Sequence, residues 1–157
     1  MSTLERIAQE RILILDGAMG TMIQRLGLTE QDFHPPGMET HEILLQGNNE
    51  LLSLSKPDAI RKIHEEYLEA GADIVETNTF SATSIAQAEH KCEHLVREIN
   101  VQSAKLAKEA CAKYTAMDPS KPRFVAGAIG PMNKTASLSP DVNDPGFRAV
   151  TFDQLVV

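Results

Sequence analysis

Hydrophobic positions change period several times along the chain, and each change marks an element. Leu4, Ile7 and Ala8 alternate with Glu5, Arg6, Gln9 and Glu10, the spacing of an amphipathic helix over residues 1–11. Ile12-Leu13-Ile14-Leu15 then runs apolar without a break into Asp16-Gly17-Ala18-Met19-Gly20. A tetrad with no wet face predicts a strand covered on both sides, as in a parallel sheet. Thr21 to Leu26 predicts a short helix closed by Gly27. A long polar connection, Leu28 to Lys56, carries Pro35-Pro36-Gly37 and Gly47-Asn48-Asn49 and reads as a lid or binding loop. Pro57 opens a helix striped by Ile60, Ile63, Tyr67 and Leu68 and ended by Gly71. Ala72 to Phe80 is a second strand with a polar far end. Ser81 to Ser84 caps a helix through His90, and Glu93 to Tyr114 continues as a longer one. Arg123 to Lys134 supplies a third strand and its exit turn, with Gly127 and Ala128 marking a close approach.

Strands alternating with helices, over connections too long for hairpins, specify parallel strands and an α/β fold. Polar residues at the carboxyl ends of such strands share one rim. Asp16-Gly17, Glu76-Thr77-Asn78-Thr79 and Gly130 to Lys134 therefore form a candidate site. For Asp16 the alternative is a capping role for the helix that follows. For Glu76, Asn78 and Thr79 it is strand-end hydrogen bonding. Gly17 and Gly20 are expected to supply positive φ and close backbone approach.

At 157 residues the chain has the length of one domain, and its formal net charge of −7 offers no basic footprint for nucleic acid or anionic membrane. Neither a membrane-length apolar run nor a signal-peptide pattern occurs, which predicts a cytoplasmic location. Cys92 and Cys111 have neither disulfide-framework nor zinc-type spacing. His90 and His94 would share a helix face, and a solvated face is the simpler reading of that charged segment. Phosphate-loop and nucleophile-elbow motifs are missing. Thr151-x-x-Gln154 announces a capping box close to Val157, so the chain reads as the opening part of a longer domain.

Four stretches carry a family resemblance: Leu15 to Thr21, Gly47-Asn48-Asn49, Ala70 to Phe80 and Gly127 to Pro131. They resemble the homocysteine-binding domain of the cobalamin-dependent methionine synthases, within the homocysteine S-methyltransferase family. Ser81 to Ala88, together with Asn133-Lys134-Thr135, Ser137, Ser139 and Pro140, resembles the cobalamin-dependent enzymes in particular.

The resemblance implies a (β/α)8 barrel, of which this chain would hold about the first three strand-helix units. It also implies homocysteine as substrate, zinc held by three cysteines, and methylcobalamin as donor, with folate, cobalamin and activation domains as partners. A free thiol titrates near ~8.5, and zinc would deprotonate it while leaving it nucleophilic. Cys92 and Cys111 match none of the zinc ligands, which are expected beyond residue 157 together with a second ammonium-binding carboxylate. On this chain the resemblance assigns Asp16 to the substrate ammonium and the Gly17 amide to its carboxylate, with Glu76, Asn78 and Thr79 as rim contacts. It leaves two alternatives open: a different homocysteine methyltransferase, or a non-catalytic fragment that binds an amino acid or a protein.

Overall fold

The computed structural model describes residues 2–156. Helix α1, Thr3–Glu10, starts at a capping box in which the Ser2 amide donates to Glu5 and the Glu5 amide to the Ser2 hydroxyl. Ile7 is its buried residue, and Leu4 stays exposed. After Arg11 the chain extends along one edge of a small sheet and turns into α2, Met19–Arg25.

Two three-residue strands make that sheet: β1, Ile74–Glu76, and β2, Phe124–Ala126, parallel and in register from Ile74 opposite Phe124 to Glu76 opposite Ala126. The expected first strand at Ile12 to Leu15 reduces to a single parallel bridge, Leu15 to Ile74. The Asp73 and Ile74 amides donate to the Ile14 carbonyl at 2.8 and 3.1 Å, and the Asp16 amide donates to Ile74 at 2.9 Å. Direction and neighbour thus agree with the α/β pattern, but burial does not. Ile12 is 84% and Ile14 54% exposed, because the described residues put no layer over them.

Two helices cover the other side. Helix α4, Pro57–Glu69, packs on α6, Val96–Met117, and both lie against the sheet. Leu68, Val75, Ala107, Ala110 and Cys111 fill the space beneath the strands. A larger core joins Ile60 and Ile63 of α4 and Ile99 and Leu106 of α6 to Ile23, Phe33, Leu45, Leu51 and Leu52.

Phe33, Leu45, Leu51 and Leu52 lie in the 28–56 connection, so that of its two expected roles, lid or binding loop, it is no free lid. It folds through short 3-10 turns at Glu30–Phe33 and Asn49–Leu51 and through helix α3, Leu52–Ser55, and is anchored by its apolar residues. The Asn48 and Gln87 amides exchange two hydrogen bonds, 2.8 and 3.1 Å, tying this connection to α5, Ser84–Gln87. Thr83 is the cap of α5, accepting from the Ala86 amide. The expected helix from Glu93 begins as a 3-10 turn that feeds α6. The last described element, α7 at Phe152–Val156, carries the Thr151–Gln154 capping box.

Candidate functional site

The carboxyl ends of the parallel segments open into a cleft of about 410 Å³. Asp16, Gly17, Glu76, Asn78 and Thr79 all line it, joined by Asn49, Glu50, Thr77, Phe80, Ser81 and Ala128. Sequence reasoning placed the first five on one rim together with Gly130 to Lys134; the fold brings the five together, whereas Pro131, Met132 and Asn133 line a separate depression beside Asn48 and Gln87. That reasoning overlooked Glu50 and Phe80. The Gly47-Asn48-Asn49 turn next to Glu50 was the available signal, since it enters the cleft from the opposite side.

Asp16 does not cap the helix after it. Ala18 occupies the cap position of α2 without a side-chain bond, at φ 49° and ψ 33°. The left-handed residue of this turn is thus an alanine, and neither Gly17 nor Gly20 takes positive φ. One Asp16 carboxylate oxygen instead accepts the Glu76 amide at 2.9 Å, bridging the extended segment to the end of β1. Burial pushes the Asp16 carboxyl up to about 6; the nearby Glu76 charge adds to the rise, and the Glu76 amide opposes it. Among the described residues Asp16 has no ion-pair partner, and no lysine, arginine or histidine lines the cleft. The cleft therefore favours a cation that can approach a half-buried carboxylate.

Gly17 has nothing within 4 Å of where a Cβ would stand. Neither its backbone angle nor protein packing calls for glycine, and the open space belongs to the cleft. Gly127 likewise has open space. The close approach expected there occurs at Gly130, whose Cβ would come within 2.5 Å of the Phe80 ring, while its amide donates to the Phe80 carbonyl. Gly130 thus leaves room for the Phe80 ring, 56% exposed, at the wall of the cleft.

The side chains of Asn78 and Thr79 serve the wall itself. Asn78 Nδ2 donates to the Asn49 carbonyl at 2.8 Å and to Ser53 Oγ at 3.2 Å. Thr79 Oγ1 donates to the Ala128 carbonyl at 2.8 Å and lies 2.6 Å from Thr77 Oγ1. Glu50, also buried, accepts the Ser81 amide at 2.9 Å.

A family model for homocysteine S-methyltransferases matches residues 13–157. The chain belongs to the homocysteine S-methyltransferase family. Among solved structures, the oxidized form of the Escherichia coli homocysteine methyltransferase MmuM is 27% identical, with a TM-score of 0.65, covering 83% of this chain and 41% of that one. The metallated form of MmuM is 26% identical, with a TM-score of 0.62, covering 82% and 41% respectively. The chain thus spans about two-fifths of the length of these methyltransferase structures.

The zinc that the resemblance implies does not fit the residues present. Among the described residues no group of three histidine, cysteine or acidic side chains could hold a metal ion. Both cysteines are buried: the Cys92 thiol donates to the His90 carbonyl and the Cys111 thiol to Phe124. Burial pushes the Cys111 thiol up to about 11, away from the thiolate that metal ligation needs. His90 and His94 do not share a helix face, because Lys91, at φ 53°, breaks the chain between two 3-10 turns. Among the described residues no helix is long and apolar enough to cross a membrane.

Proposed function

We propose that the cleft holds the amino-acid end of homocysteine as the opening part of a homocysteine-binding (β/α)8 barrel. The observation that carries this reading is the Asp16 carboxylate, half-buried and without a cationic partner among the described residues, in a cleft lined by no basic residue. A substrate ammonium supplies the missing charge. It stabilises ionised Asp16, while Glu76 adds a second negative charge on the same rim. The Gly17 amide, beside open space, donates to the substrate carboxylate. Asn78 and Thr79 hold the wall at its place through the bonds they make to Asn49, Ser53 and Ala128, and Phe80 offers an apolar surface to the substrate's methylenes.

The role in this reading is positional. The chain grips one end of the amino acid and leaves the sulfur to residues it does not contain, so by itself it transfers no methyl group. The wider context is the cobalamin-dependent methionine synthase type, supported by Ser81 to Ala88 and Asn133-Lys134-Thr135. Its cytoplasmic location and its folate, cobalamin and activation domains belong to that context. The similarity to MmuM supports the second reading, a homocysteine methyltransferase of another type.

Calorimetric titration of the chain with L-homocysteine, and with its N-acetyl derivative, tests the assignment. Binding of the free amino acid and loss of binding on acetylation are expected. Equal affinity for both compounds would remove the ammonium site.

A further inference from the structure

Asp16 sits at the end of an extended segment that has little of its own to hold it in register. A strand's register is normally specified by the buried face of its side chains, and a one-residue slip sends every side chain to the opposite face. Here Ile12 and Ile14 are exposed, and the segment makes one bridge. Burial therefore does not fix which residue lies opposite the end of β1.

Asp73 supplies what burial does not. It is 1% exposed, one residue before β1. Its Oδ2 accepts the Ile14 amide at 2.9 Å, while its own amide donates to the Ile14 carbonyl at 2.8 Å. Ile14 is thus gripped through both of its backbone groups by one residue. The carboxylate takes the place of a strand carbonyl at the foot of the ladder, where the chain is still turning in from α4. Arg11 locks the carboxylate with a bidentate fork, 2.7 and 2.9 Å. Lys121 lies 3.9 Å away, donating to the Gly71 carbonyl. Both anchors, Arg11 and Ile14, precede Asp16 by a few residues, so the latch sets where Asp16 arrives.

We propose that Asp73, fixed by Arg11, is a positioning residue for the substrate site: it sets the register of residues 12–15 and thereby presents the Asp16 carboxylate to the Glu76 amide and the cleft. This rests on the assignment of Asp16 to the substrate ammonium for its consequence, but not for its geometry.

The test uses the whole chain with Asp73→Ala, with Arg11→Gln as a milder variant that keeps the carboxylate, and with Leu52→Ala as a destabilised control in the core away from the sheet. Two quantities are measured in folded protein: the Asp16 titration, by carbon NMR of its carboxyl, and the affinity for L-homocysteine. Displacing a binding group by about 1 Å can cost on the order of a hundredfold. Asp73→Ala is therefore expected to weaken binding at least tenfold and to return the Asp16 titration toward that of an exposed carboxylate. Arg11→Gln should move both in the same direction by less, and Leu52→Ala should move neither. If Asp73→Ala does not fold, Arg11→Gln decides alone. An unchanged Asp16 titration in the folded variants, or an equal shift in Leu52→Ala, overturns the proposal. If the wild-type chain binds no homocysteine, the substrate assignment fails, and the Asp16 titration still decides the register role.

Discussion

Asp16→Asn should make the chain more stable while removing its ligand affinity. A folded-state carboxyl at about 6, against 3.8 for the ordinary group, means that ionising Asp16 is harder in the fold than in the unfolded chain. The sign follows from linkage: the folded state binds the extra proton between these values, so stability is highest below 3.8 and is lost as pH rises through 6. The full shift corresponds to about 3 kcal/mol, and solvent screening of a half-exposed group cuts this to about 1 kcal/mol. Asparagine cannot ionise, and its side-chain oxygen still accepts the Glu76 amide. Urea denaturation at pH 7.5 should therefore show a gain of about 1 kcal/mol, shrinking to about a third of that by pH 4.5. Homocysteine titration of the same variant should show no binding. A loss of stability at pH 7.5 would mean that ionised Asp16 supports the fold, and would refute the reasoning.

Three further outcomes follow from other residues. Gly17→Ala should leave the melting temperature unchanged or slightly raised, because its Cβ meets no protein atom, yet weaken homocysteine binding by filling the cleft; unchanged affinity would place the ligand elsewhere. His64 is fully buried on α4 with neither ring nitrogen hydrogen-bonded, and burial pushes it down to about 4. Its neutral form is favoured by folding, so about 3 kcal/mol of stability is lost as pH falls from 6.5 to 4; His64→Leu should raise stability and flatten that part of the pH profile, and a destabilised variant with an unchanged profile would count against it. Ile12→Lys should lower concentration-dependent association in sedimentation, since the uncovered segment carries exposed apolar side chains beside little strand pairing.

The helical half of the fold was legible because α4 and α6 carry an apolar stripe against charged faces, and that period survives in any packing. The capping box at Thr151 was equally legible, being local chemistry within one turn. Ile12 to Leu15 was read correctly for direction and neighbour but not for burial: an apolar run states what a segment requires, and the covering layer is not among the described residues. The 28–56 connection contributes Gly47, Asn49 and Glu50 to the cleft, as a binding loop would, but its packed character was missed for the opposite reason. Its apolar anchors Phe33, Leu45, Leu51 and Leu52 follow no period, so polar composition dominated. Asp73 looked like an ordinary strand-entry residue, since its partner Arg11 lies 62 positions away and no local rule pairs them. The rim residues were found because strand ends in a parallel sheet converge. Which of them keep free hydrogen-bonding capacity could not be found that way, as the partners of Asn78 and Thr79 come from distant loops.

Those distant partners bear on how the cleft meets a ligand. Asn78 reaches Ser53, and Ser103 of α6 lies 2.7 Å from Ser53 Oγ and 3.2 Å from the Asn78 carbonyl. All three residues are buried. The wall is thereby continuous, through a short polar relay, with the longest helix of the chain. Side chains and loops that are ordered during folding lose no further conformational freedom when an amino acid arrives. Binding would then come with little change in backbone protection from hydrogen exchange along α6, and with an entropy set mainly by water released from the cleft.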